Sequence, residues 1–178
     1  MNPIVDLAMR LAVHAHIGQC RKWTGEPYIE HPIRVAANFR NPVMRAAALL
    51  HDVVEDSSFT IDSLLNDGVP LEIASIVELL TRNPNGESHE HYIARIVSSG
   101  NPSAILVKIA DVLDNLVGNR EPEMIERYRW TLAELTSGKK TCSHCSGRTC
   151  RTLARRAKTV VYCRMYQRAI SKGCGWAA

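Results

Sequence analysis

Most of the chemistry this chain could perform is concentrated in the run His51-Asp52-Val53-Val54-Glu55-Asp56, with His31-Pro32 upstream and Asp111 far downstream. Residues four apart on a helix share a face, so His51 would stand over Glu55, and Asp52 over Asp56. Three carboxylates and an imidazole on one turn of an otherwise apolar helix repel one another and cost desolvation energy unless a cation neutralises them. A divalent metal accounts for such a cluster. Imidazole mixed with carboxylate suits Mn²⁺, Fe²⁺ or Zn²⁺ better than Ca²⁺, which prefers an all-oxygen shell. One His-Asp pair is too few ligands, and His31 and Asp111 are candidates to add to it. Asp111, between Ala110 and Val112, looks unpaired in apolar surroundings.

The elements that must position these residues are helical. Val5, Ala8, Leu11, Ala12 and Ala15 recur at three- and four-residue spacing, which predicts a first helix with one buried face. The polar stretch from Gly18 to Thr24-Gly25-Glu26-Pro27 reads as an exposed turn. Pro32 fits the first turn of a second helix running to about Phe39, with His31 at its entrance. Asn41-Pro42 is a further start signal, and the run from Val43 to Val54, apolar nearly all round, predicts a central buried helix. Helices are expected over 61–66, 71–80, 89–98, 104–117 and 122–136, separated by Gly, Asn or Pro. No alternating pattern long enough for a strand occurs, so the fold class is all-α.

Length and composition fit one ordinary domain, placed at residues 1–137, followed by an extension over 138–178. The first residues include Asp6, Arg10 and two histidines, which excludes a signal peptide or a membrane span there and makes the cytoplasm the expected location. Formal net charge is +4, and Lys139, Lys140, Arg148, Arg151, Arg155, Arg156 and Lys158 follow one another with no acid between them. That segment could meet an anionic partner such as nucleic acid, although no nucleic-acid-binding motif accompanies it and a solvated basic face is the favoured reading. Five of the six cysteines also lie there. Cys142-Ser143-His144-Cys145 with Cys150 is only a partial zinc-ligand spacing, and a flexible extension is expected instead.

Three motifs together resemble a known family. Arg21-Lys22-Trp23-Thr24-Gly25-Glu26-Pro27-Tyr28-Ile29-Glu30-His31-Pro32, then Ala48-Leu49-Leu50-His51-Asp52-Val53-Val54-Glu55-Asp56, then Val107-Lys108-Ile109-Ala110-Asp111 with Asn115, resemble the hydrolase domain of RelA/SpoT homologues. Within the HD superfamily they are most similar to the small stand-alone alarmone hydrolases. The resemblance implies an all-helical HD-domain bundle, one Mn²⁺ ion, with Fe²⁺ or Zn²⁺ less favoured, and hydrolysis of the 3′-pyrophosphate of guanosine tetra- or pentaphosphate, (p)ppGpp, without synthetase activity. Carried over by motif, His31, His51, Asp52 and Asp111 are the metal ligands. Glu55 and Asp56 handle the attacking water, with Glu55 the better placed to orient or deprotonate it. Arg21, Lys22 and Thr24 hold the guanine nucleotide, and Asn115 lies beside ribose and phosphates.

Tyr28 is read as packing against the base or against Pro27. Lys108 and Arg82 are weaker candidates for phosphate contact, His14, His16, His89 and His91 are read as surface or core histidines, and Trp23 and Trp130 as packing residues. Val112, Asp114 and Gly118 depart from the family pattern and would alter the wall of the nucleotide pocket. Two rival readings therefore stand beside alarmone hydrolysis: an HD phosphohydrolase for another nucleotide or dinucleotide phosphate, and a nucleotide-sensing module.

Overall fold

The computed structural model describes residues 2–137 apart from Trp23, Pro84, Gly118 and Arg120. Among these residues it has nine helices and no strand: α1 (Pro3–Ala15), α2 (Glu30–Ala36), α3 (Pro42–Leu50), α4 (Val53–Asp56), α5 (Ile61–Asn66), α6 (Leu71–Leu80), α7 (His89–Ser98), α8 (Pro102–Leu116) and α9 (Pro122–Thr136). The all-α expectation is met. No helix among them is long and apolar enough to cross a membrane. The basic, cysteine-rich segment 138–178, its partial zinc-ligand spacing, Trp23 and Gly118 lie outside the described residues.

Three helices begin with the same device. Asn2, Asn41 and Asn101 each precede a proline, whose fixed φ and missing N–H suit the first helical position. The asparagine side chain then takes up the exposed amides that follow: Asn41 Oδ1 accepts from Val43 and Met44 at 2.8 and 3.2 Å, and Asn101 Oδ1 from Ser103 and Ala104 at 3.0 and 3.2 Å. At α5, Thr60 and Ser63 form a reciprocal capping box.

The described residues fall into two compact units, the first ending at Tyr92 and the second beginning at Ile93. In the first, α3 is the central helix, with α1, α2 and α6 packed on it, α4 on α1, and α5 on α6. Ala46, Ala47, Ala48, Leu49 and Leu50 are each 1% exposed or less, so the second half of α3 is buried all round, while Arg45 in its first half is exposed. In the second, α8 packs with α9. Helix α7 runs across the division, and Tyr92 and Ile93 are both buried. Trp130, expected to pack, is 37% exposed.

Two boundaries differ from the sequence reading in ways that matter for the site. The central helix does not continue from Val43 to Val54. It stops at Leu50, His51 closes it, and Asp52 starts the separate turn α4. Aspartate is a poor interior helix residue because its side chain competes for nearby backbone groups, and here it stands at the junction. Helix α2 ends at Ala36 rather than near Phe39, because Asn38 Nδ2 donates to the carbonyls of Arg34 and Val35 at 3.0 and 3.1 Å and satisfies the helix end.

Candidate metal centre

His31 occupies the first turn of α2, where its backbone N–H donates to Tyr28 O at 2.9 Å. His51 sits at the end of α3 and donates from Nδ1 to the carbonyl of Ala48, one turn back, at 2.8 Å. A carbonyl only accepts, so Nδ1 carries the proton and Nε2 presents its lone pair. Both rings are 1% exposed and stand edge to face, with centroids 5.2 Å apart. They converge on one oxygen: Asp52 Oδ2 lies 3.1 Å from His51 Nε2 and 3.6 Å from His31 Nε2.

A neutral imidazole nitrogen and a carboxylate oxygen are both electron-rich, and 3.1 Å between them calls for positive charge on or between the pair. His31, His51 and Asp52 offer ligand atoms that all lie within 4.8 Å of one another. A first-row ion about 2 Å from each ligand brings its donors to about this spacing. The donor set therefore fits a divalent metal, and the Ala48 carbonyl fixes the His51 ring in the way outer partners of metal-bound histidines do.

The acidic residues of α4 surround this triad less tightly than an unbroken helix predicts. Glu55 and Asp56 are exposed. Glu55 Oε2 accepts the backbone N–H of Arg82 at 3.1 Å, which holds the carboxylate. Asp56 stays in helical relation to Asp52 through its N–H to Asp52 O, 2.9 Å. Loss of water around the Asp56 carboxyl, and then the charge of Asp52, push it above the ordinary carboxylate range, while the Tyr28 hydroxyl, His16 and His51 oppose that. A cation on the triad would reverse the Asp52 contribution.

The turn before α2 is built by an antiparallel bridge between Cys20 and Pro27, by Arg21 N–H to Glu26 O at 2.8 Å and by Gly25 N–H to Arg21 O at 2.9 Å, with Gly25 at φ +70°. Lys22 and Thr24 are exposed on it. The Arg21 side chain, only 9% exposed, lies 3.9 Å from Glu26 Oε1, which also receives Arg34 at 2.8 Å. The Arg82 guanidinium donates to Glu87 O through Nε at 2.8 Å and is engaged in its own loop.

Asp111 belongs to the second unit. It is 4% exposed but paired inside its own helix: Lys108 Nζ lies 2.8 Å from Oδ2, and Asn115 Nδ2 donates to Oδ1 at 2.6 Å. Its expected lack of partners is thus corrected by neighbours three and four residues away. Val112 is 1% exposed and acts as core rather than as an open wall.

Three residues near the triad carry more than the sequence reading assigns them. Tyr28 donates its hydroxyl to Asp52 Oδ2 at 2.7 Å, across 24 positions. His16, 3% exposed, bonds Gln19 Oε1 through Nδ1 at 2.8 Å and stacks on Tyr28 with centroids 4.8 Å apart. Gln19 Nε2 donates to Asp56 O at 2.8 Å. No spacing rule links these positions; only the proximity of His16 and Gln19 at the end of α1 hints at a local pair.

The sequence matches the HD domain family model over residues 8–130. It is also 35% identical over 150 residues to the Mus musculus protein named guanosine-3′,5′-bis(diphosphate) 3′-pyrophosphohydrolase MESH1, a match covering 74% of this chain and 82% of that protein. The chain belongs to the HD-domain family. Among its relatives in this family is an Aquifex aeolicus guanosine-3′,5′-bis(diphosphate) 3′-pyrophosphohydrolase, 35% identical over 121 residues, a match covering 63% of this chain and 17% of that protein. A solved structure, of a metazoan ortholog of SpoT described as hydrolysing ppGpp and playing a role in starvation responses, superposes with a TM-score of 0.71 at 21% identity, covering 97% of both chains. It supports the HD-domain fold. The His51-Asp52 pair of this chain lies at the junction of α3 and α4.

Proposed function

We propose that this chain removes the 3′-pyrophosphate of guanosine tetra- or pentaphosphate, giving GDP or GTP and pyrophosphate, with Mn²⁺ as its metal and the guanine nucleotide as its small-molecule partner in the cytoplasm. The observation that carries the reading is the convergence of His31, His51 and Asp52 on one point, in a chain that aligns with most of a pyrophosphohydrolase of this kind. The proposed ligand set adds Asp111 on the strength of its motif. When bound, the ion polarises phosphoryl oxygens and lowers the pKa of water.

Within that scheme Glu55 orients and deprotonates the attacking water, and its anchorage on the Arg82 N–H keeps the carboxylate in one position. Asp56 assists from the same turn. Arg21, Lys22 and Thr24 hold the nucleotide on the turn before α2, and Asn115 meets ribose and phosphate. Positive charge on Lys22 matches the several negative charges of the substrate. The P–O bond between the 3′ oxygen and the first phosphorus breaks, and water supplies the oxygen gained by pyrophosphate and the proton gained by the 3′ hydroxyl.

The test is pyrophosphate release from ppGpp by the full chain with added Mn²⁺, run beside GTP, NADPH and the Asp52→Ala variant. Turnover of ppGpp alone, lost with Asp52, is the expected result. Metal-dependent turnover of another substrate would retain the site and replace the nucleotide. Tight Mn²⁺ binding without any turnover would favour a sensor.

A further inference from the structure

The mechanism above leaves Tyr28, His16 and Gln19 without a task, yet all three are joined to the two aspartates that frame the site. Tyr28 donates to Asp52 Oδ2 at 2.7 Å, the same oxygen that the two imidazoles face. One hydroxyl has one proton, and here that proton goes to Asp52 Oδ2.

The ring behind that hydroxyl is itself held. His16 stacks on it at 4.8 Å, and the tautomer of His16 follows from its partner. Gln19 Nε2 donates to two carbonyls, Asp56 O at 2.8 Å and Ala15 O at 3.3 Å, which fixes the amide so that Oε1 faces His16 Nδ1. His16 Nδ1 therefore carries its proton toward Gln19. His16 Nε2 is buried with no hydrogen-bond partner among the described residues, so this nitrogen adds no bond that would hold the ring elsewhere. The ring's position is set by Gln19 and Tyr28. Just after α1, Gln19 is thus spent on the backbone of Asp56 and the buried His16 on the ring that reaches Asp52.

We propose that Tyr28, held by His16 and Gln19, is a positioning residue that sets Asp52 Oδ2 for the metal. The network joins the last residues of α1, the turn before α2 and the start of α4, three segments that helical geometry alone does not tie together. This inference rests on the metal-dependent reading given above. It differs from the expectation that Tyr28 packs against the guanine base, because a residue acting on the ligand changes metal affinity and kcat, whereas one acting on the base changes KM.

The test uses the full chain and two measurements: Mn²⁺ affinity in the absence of nucleotide, from the electron paramagnetic resonance of the free ion, and kcat and KM for ppGpp at saturating Mn²⁺. Tyr28→Phe keeps the ring and removes the hydroxyl. The expected result is Mn²⁺ affinity weakened by about 10- to 100-fold, the usual cost of losing an outer partner of a metal ligand, with kcat lowered and KM within about twofold of wild type. His16→Phe, which keeps the stacking partner and loses the Gln19 bond, shifts Mn²⁺ affinity in the same direction by less. The double variant is then no worse than Tyr28→Phe alone, as residues acting in one network are not additive.

Unchanged Mn²⁺ affinity in Tyr28→Phe overturns the proposal, and so does a raised KM with affinity intact. Additive effects of the two substitutions overturn the part played by His16. Should Tyr28→Phe fail to fold, as judged by circular dichroism, His16→Phe decides on the same two readouts. A wild-type chain that binds no Mn²⁺ overturns the metal-dependent reading and this inference with it; wild-type binding with an indifferent Tyr28 overturns the inference alone.

Discussion

Asp52 and Asp111 both belong to the proposed ligand set, yet the groups that face them differ in kind. Asp52 Oδ2 faces two imidazole nitrogens, one of which has its proton locked on the far side of the ring by Ala48. Asp111 faces an ammonium and an amide N–H from its own helix. The first carboxylate stands with other electron donors, an arrangement that favours an added cation. The second already has a cation beside it. Identical side chains in two regions thus differ in what they ask of a metal.

The strongest way to break this comparison is to remove each carboxylate in turn. Asp52→Ala should reduce bound Mn²⁺ to background and abolish turnover, checked by metal analysis of the dialysed protein and by pyrophosphate release. Asp111→Asn should leave the Lys108 charge without its partner and lower stability by up to about 3 kcal/mol, since removing one member of a buried pair strands the other. As a proposed ligand it should also lower Mn²⁺ affinity. Destabilisation with affinity unchanged would make the second cluster structural and confine the metal site to the first unit.

The acids of α4 sharpen the contrast further. Glu55→Gln should lower kcat by about 10² to 10⁴, the range for a lost general base, while a nucleotide-binding assay reads wild-type affinity. Normal turnover would remove Glu55 from its assigned role. Smaller again is the effect of its anchor. Arg82→Pro deletes the N–H that Glu55 accepts, whereas Arg82→Ala keeps it, so kcat should fall about tenfold more in the proline variant, the scale of one hydrogen bond to a charged group. Equal rates would show that the anchor does not matter. Smallest is Asn41→Ala, which should cost about 1 kcal/mol in thermal unfolding with Mn²⁺ affinity unaffected, because only a helix cap is lost.

Much of this was legible from local rules. The Asn-Pro starts, the apolar periodicity and the Gly-bearing turns mark the helices to within a few residues, because caps and amphipathic faces are properties of short stretches of chain. The sequence reading takes Asp111 as unpaired, although its pairing was equally legible in Lys108 and Asn115, three and four positions away on one helix face. The break at His51-Asp52 was not, because an apolar run reads the same whether its helix continues or closes and restarts. The Tyr28–Asp52 bond and the Arg82–Glu55 bond link different elements across 24 and 27 positions, and no periodicity reports them.

The alanines of α3 set a limit on how this protein can vary. Ala46, Ala47 and Ala48 have no exposed surface, and the carbonyl of Ala48 holds the His51 ring. Any larger side chain there has to displace a neighbouring helix or the backbone itself. The displaced backbone is the one that aims the imidazole. Drift in sequence is therefore least tolerated at three residues that touch no substrate and carry no functional group, and a library built to alter specificity does best to leave them fixed and diversify the exposed turn at Lys22 and Thr24.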